Sequence, residues 1–99
     1  MLDIDLEMPS KIIGGYLVVY GKTLYENQNI KICCYISQSF LEDISNGSTD
    51  YFQTFKNNMW SIEMLAENKL STNRDIEDII DGKKITILAS DKSEFDSLN

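Results

Sequence analysis

The side chains best suited to chemistry in this 99-residue chain are few. Cys33 and Cys34 are adjacent within Lys-Ile-Cys-Cys-Tyr-Ile-Ser, residues 31–37, and Glu63 and Glu67 stand four residues apart. Paired thiols could hold a soft metal or cycle through a disulfide, and paired carboxylates could bind a cation or serve as acid and base. Neither pair goes far. In an extended strand adjacent side chains point to opposite faces, so the two thiols cannot chelate one metal without distorting the backbone. There is no Cys-x-x-Cys and no histidine anywhere to complete a zinc site. Cys34 is expected to be a small buried hydrophobe, with Cys33 the more reachable of the two. The Glu63/Glu67 spacing is that of a solvated helix edge. Without histidine the commonest general base near neutral pH is missing, and the chain has neither a phosphate-binding Gly-x-x-x-x-Gly-Lys nor a Gly-x-Gly-x-x-Gly. The expectation is a non-enzymatic protein with no cofactor and no metal site.

The elements around these residues are legible from periodicity. Residues 2–8 alternate apolar and acidic, as in a half-buried strand, with Leu2, Ile4, Leu6 and Met8 inward and Asp3, Asp5 and Glu7 outward. Pro9 and Gly14-Gly15 interrupt the pattern. Tyr16 to Tyr20 is aromatic and β-branched, with Gly21 expected as a bulge that lets the strand resume through Tyr25. After a polar turn, Ile30 to Ile36 completes a hairpin. Ser39 and Glu42 have capping-box spacing, which predicts a short helix from Phe40 to Ile44 that Asn46-Gly47 ends. Thr49 or Asp50 caps the next helix, on which Phe52, Phe55, Met59, Ile62 and Ala66 form one apolar stripe. A short helix is predicted around Ile76, Ile79 and Ile80, because the adjacent isoleucines break strand alternation; Asp81-Gly82 ends it, the alternative being a strand there with Asp81-Gly82 as a hairpin turn into Ile85-Thr86-Ile87-Leu88. Residues 84–89 are a last strand, and 90–99 a polar tail with a turn near Phe95. One α+β domain is expected, with residues 1–9 as an N-terminal acidic strand. Its architecture is a small, mostly antiparallel sheet of three to four strands, with one long and one or two short helices on one face.

Cys34-Tyr35-Ile36-Ser37 with Leu41, followed by Phe55, Ile62-Glu63, Ala66 and Lys69, resembles the motif of a family of small bacterial proteins known only as a domain of unknown function. The resemblance spans roughly residues 16–90. It implies a strand–helix α+β unit and no particular activity. Where the family carries a basic residue, this sequence has Met59-Trp60.

Charge and aromatics are what remain for function. Sixteen acids against nine bases give a net charge of -7. Such a surface repels nucleic acid and anionic membranes, and Lys83-Lys84 is the only adjacent basic pair. No stretch approaches the ~20 apolar residues of a membrane span, and the N-terminus has no secretory pattern, so a cytoplasmic protein is expected. Trp60 lies about 100° and Met64 about 140° from Met59 on a helical wheel, off the core stripe yet adjoining one another. Trp60 and Met64 are thus candidate contacts for a partner or for a second copy in a homodimer. The second candidate surface is acidic: Asp3, Asp5 and Glu7, spaced about 6.8 Å apart along a strand face, and a second cluster of Asp75, Glu77, Asp78 and Asp81. Regular carboxylates can imitate nucleic-acid phosphates. In size and charge the chain resembles anti-CRISPR and anti-restriction inhibitors, which implies a basic protein partner that handles nucleic acid and no direct nucleic-acid binding.

Overall fold

The computed structural model describes residues 3–9 and 11–98. The longest elements are the two expected from β-branched and aromatic runs: β3 (Tyr16–Tyr25) and β4 (Gln28–Ser37), paired antiparallel along their whole length. Glu26 and Asn27 make the tight turn between them, both with positive φ (49° and 64°), as a two-residue type I′ hairpin turn requires. Two short strands, β1 (Asp5–Leu6) and β2 (Lys11–Ile13), pair with the outer edge of β3. Gly14 and Gly15, both at positive φ, turn β2 into β3. Gly21 is not a bulge. The strand runs straight through it, and glycine is needed because a Cβ there would stand 2.3 Å from the Asp5 carbonyl oxygen of β1.

After β4 come three helices: α1 (Gln38–Ile44), α2 (Tyr51–Asn57) and α3 (Met59–Ser71). Ser37 caps α1 by accepting from the Ser39 N–H, and Asp50 caps α2 by accepting from the Gln53 N–H. The predicted single stripe from Phe52 to Ala66 is divided. The backbone breaks at Asn58, whose side-chain amide donates to the Thr54 carbonyl. Phe55, Ile62 and Ala66 are fully buried while Phe52 is 40% exposed. The chain then forms β5 (Ile76–Ile79) and β6 (Gly82–Ile87), a 3₁₀ turn over Ala89–Asp91, and α4 (Lys92–Ser97), which buries Phe95.

Two of these findings correct the expected architecture. The segment at 76–79 is a strand, not a helix: Ile80 sits in the turn at 87% exposure, so the Ile79-Ile80 pair marks the end of the strand. The sheet is six-stranded and mixed rather than small and mostly antiparallel, with the order β1-β3-β4-β6-β5 and β2 also on β3. Its parallel step is β4 against β6, Lys31–Ile36 beside Gly82–Ile87, which the three-helix crossover makes reachable. A Cβ on Gly82 would lie 2.0 Å from the Lys31 carbonyl oxygen, so the close approach of β6 depends on glycine. The class remains α+β, with four α-helices among the described residues.

One face of the sheet carries the core. Leu17, Val19, Ile32, Cys34, Ile36, Ile85 and Ile87 pack against Phe40, Leu41, Phe55, Ile62, Leu65, Ala66, Leu70 and Phe95, so the helices lie on one side. Ile4 and Leu6 join this core, Met8 is 55% exposed, and Leu2 lies outside the described residues.

Lys69 is fully buried on α3. Its ammonium pairs with Asp75, just before β5, and lies 2.9 Å from Asp91, just after β6. Asp91 also accepts the Leu88 N–H at 2.8 Å. One cation therefore fixes both ends of the β5–β6 hairpin to α3. Removing one partner of a buried ion pair costs about 3–5 kcal/mol, because the other charge stays desolvated. Lys69→Ala should lower the urea midpoint by a corresponding amount with an unchanged m-value. Lys69→Met keeps the stem and should cost less; a Lys69→Ala midpoint equal to wild type would contradict this role.

Candidate functional site

The N-terminal acidic run is held by α3. Trp60, Glu63, Met64 and Glu67 recur at three- and four-residue spacing, so they share one side of that helix. Glu63 accepts the Leu6 N–H at 2.8 Å, and Glu67 accepts from the Ile4 backbone. These bonds satisfy backbone donors that the two-residue β1 leaves unpaired, and they bring the helix carboxylates beside Asp3 and Asp5. Glu63 and Glu67 are therefore more than the solvated helix edge their spacing suggests. Burial is the largest cause raising both carboxyls above the usual range, and Asp3 and Asp5 push in the same direction, against the backbone hydrogen bonds. Asp3, Asp5 and Glu7 are exposed, Met64 is half-buried, and Trp60 is 64% exposed, the largest solvent-facing aromatic of the chain. The β1–α3 edge thus brings Glu63 and Glu67, which sequence reasoning set aside, beside Asp3 and Asp5, with the exposed Trp60 one turn along the helix from Glu63.

The second acidic cluster is placed elsewhere and arranged differently. β5 is the opposite edge of the sheet, four strand spacings from β1, or about 19 Å. Asp75 pairs with buried Lys69, Asp78 with Lys83 directly across the ladder, and Glu77 with Lys84 at 3.6 Å. Of its four acids, Asp81 alone makes no ion pair among the described residues; it occupies the β5–β6 turn at φ 63°. The two clusters do not form one display.

Both thiols are free. Cys34 is fully buried in the core, and burial pushes its thiol up to about 12. Cys33 lies on the opposite face at 9% exposure, and burial raises its thiol too. Among the described residues no three His, Cys, Asp or Glu side chains are grouped to hold a metal ion. No helix among them is long and apolar enough to cross a membrane. The residues of the Cys-Tyr-Ile-Ser and Ile-Glu motifs have mainly structural roles: Cys34, Ile36, Leu41, Phe55, Ile62, Ala66 and Lys69 are all buried.

No family model, no curated protein and no solved structure matches the chain.

The raised carboxyls of Glu63 and Glu67 give a sign for pH dependence. A carboxyl whose folded pKa lies above its unfolded value binds its proton more tightly when folded. Its contribution to stability is complete below the unfolded value and is lost as pH rises through the folded one. Glu67→Gln keeps an acceptor oxygen for Ile4 and removes the repelling charge. It should be more stable than wild type at pH 7, and the difference should vanish below the ordinary carboxyl value of 4.5. Denaturant midpoints measured across this pH range check it; a difference that grows on acidification would reverse the assignment.

Proposed function

We propose that this protein is a non-enzymatic, protein-binding module whose β1–α3 edge occupies a basic surface of a partner that handles nucleic acid. The observation that carries the reading is Trp60, 64% exposed and on the same side of α3 as Glu63, which holds the acidic strand β1 through the Leu6 N–H. An indole half out of water is an anchor of the kind that dominates interface energetics, and surrounding carboxylates select a cationic partner and speed its encounter. Two side-chain hydrogen bonds hold the strand to the helix, so the surface is organised before binding and little ordering is left to do. The size and charge of the chain match the acidic inhibitors of nucleic-acid enzymes, of the anti-CRISPR kind, that it resembles. The same apolar pair, Trp60 with Met64, also suits a second copy of the chain, a homodimer through this flank being the other reading.

Trp60 is the sole tryptophan, so its emission reports binding directly. An arginine-rich peptide should shift that emission in about 50 mM salt, and about 500 mM should abolish the shift by screening. Neutralising Asp3, Asp5 and Glu7 to Asn or Gln should weaken binding about tenfold, at roughly 0.5 kcal/mol per exposed carboxylate. Binding untouched by these changes would reject the edge as the site. A wild-type dimer that Trp60→Ala converts to a folded monomer in sedimentation would favour the second copy.

A further inference from the structure

The sheet ends on three strands, β1, β2 and β5, and each closes its outer side differently. The direction of the hydrogen bonds fixes which backbone groups point out. Glu7 donates to the Tyr20 carbonyl at 2.8 Å, so Asp5 and Glu7 face β3 while Ile4 and Leu6 face outward. Those two outward N–H groups are the ones that Glu67 and Glu63 of α3 accept. The helix thereby seals the edge of β1. On β5, Thr86 donates to the Asp75 carbonyl, so Ile76 and Asp78 face outward, with the exposed carboxylates of Glu77 and Asp78 along the strand. A second copy against that edge would bring acids up to acids, which is destabilising between neighbouring strands.

The edge of β2 has neither protection. Gly14 and Gly15, at φ 54° and 84°, make a two-residue turn between Ile13 and Tyr16. A turn of this kind is closed by a hydrogen-bonded pair, so Ile13 bonds to β3, and so does Lys11 two residues back. Ile12 then turns its N–H and C=O away from the sheet, and nothing among the described residues meets them. Ile12 is 41% exposed on the helix side, in register with Leu17, and Ile13 is 43% exposed on the other side, in register with Tyr16. Residues 8–25 contain no Asp or Glu. In a chain of net charge -7, this edge alone of the three lets two copies meet without acid facing acid. The strand is also its own complement. A two-fold axis at Ile12 sets Ile12 against Ile12 of the second copy, each N–H donating to the other's C=O, and sets Lys11 across from Ile13 in both directions. No like charges stand opposite each other in that register.

From this arrangement we infer that β2 is a self-association edge: two copies pair antiparallel through Ile12 and join their six-stranded sheets into one continuous sheet. The contact uses the same strand of both copies, so it closes at two and does not propagate. Three residues per copy make the edge, which places the contact at the small end of specific interfaces, so the dimer forms only at high protein concentration. The register about Ile12 ends at the Gly14-Gly15 turn, so β1 lies outside the contact. The inference therefore goes beyond the proposed function, and its dimer is not the one through the Trp60 flank.

Sedimentation equilibrium from about 5 to about 500 μM, a range that brackets weak association, tests it. The wild type should pass from monomer to dimer and go no further. Ile12→Pro removes the outward N–H and leaves the β2–β3 bonds to Lys11 and Ile13, so it should weaken association at least about tenfold while circular dichroism shows an unchanged fold. Ile12→Lys sets two ammoniums face to face across the axis and should weaken association as much, without altering the backbone. Trp60→Ala and Ile80→Lys, at exposed positions off β2, should each change it less than about twofold. A monomer at the highest concentration, association untouched by both Ile12 variants, its loss in Trp60→Ala, or growth past two copies would each overturn the assignment. The Ile12 variants leave Trp60 and the carboxylates of the β1–α3 edge intact, so their binding of the arginine-rich peptide should equal that of the wild type, and failure here is separate from failure of the protein-binding reading.

Discussion

The buried ammonium of Lys69 is the interaction on which the arrangement of the sheet depends. It pairs with one acid on each side of the β5–β6 hairpin. The outer edge of β3 is taken by β1 and β2, which leaves the β4 edge for this hairpin. The α3 cation, placed by a crossover of three helices, holds it there, with Lys31–Ile36 parallel to Gly82–Ile87. Burying a lysine is expensive, and the two carboxylates offset that cost.

The sheet then sorts charge. Its central strands, β3, β4 and β6, carry lysines and no acid, while β1 and β5, at its two edges, carry acids. At the β5 edge cross-strand lysines neutralise the acids. At the β1 edge the carboxylates gather instead, because Glu63 and Glu67 are drawn to backbone N–H groups that a two-residue strand cannot satisfy alone. The price of that attachment is burial of the two carboxyls, with repulsion from Asp3 and Asp5 added to it, and both raise them above the usual range. On the sheet face away from the helices, lysines of the central strands thus stand across from acids of the edges: Lys22 from Asp5 and Lys84 from Glu77.

How much of this the sequence discloses follows from the range of the interactions. The β3–β4 hairpin, the Asp50 cap and the burial of Cys34 rest on neighbours close in the chain and are legible there, whereas α1 is capped by Ser37 and not by the expected Ser39. The strand at 76–79 was obscured because Ile80 belongs to the turn yet reads as part of the apolar pattern. The break at Asn58 was hidden because the apolar spacing continues across it. The role of Glu63 depends on a partner 57 residues away, which no local pattern contains.

The central claim is that the β1–α3 edge is the surface that meets a cationic partner. Amide chemical-shift mapping of the isotope-labelled protein, titrated with an arginine-rich peptide, tests it most directly. The account predicts shifted amides at residues 3–7 and 60–67. Shifts confined to other residues, or no shifts at all, would contradict it.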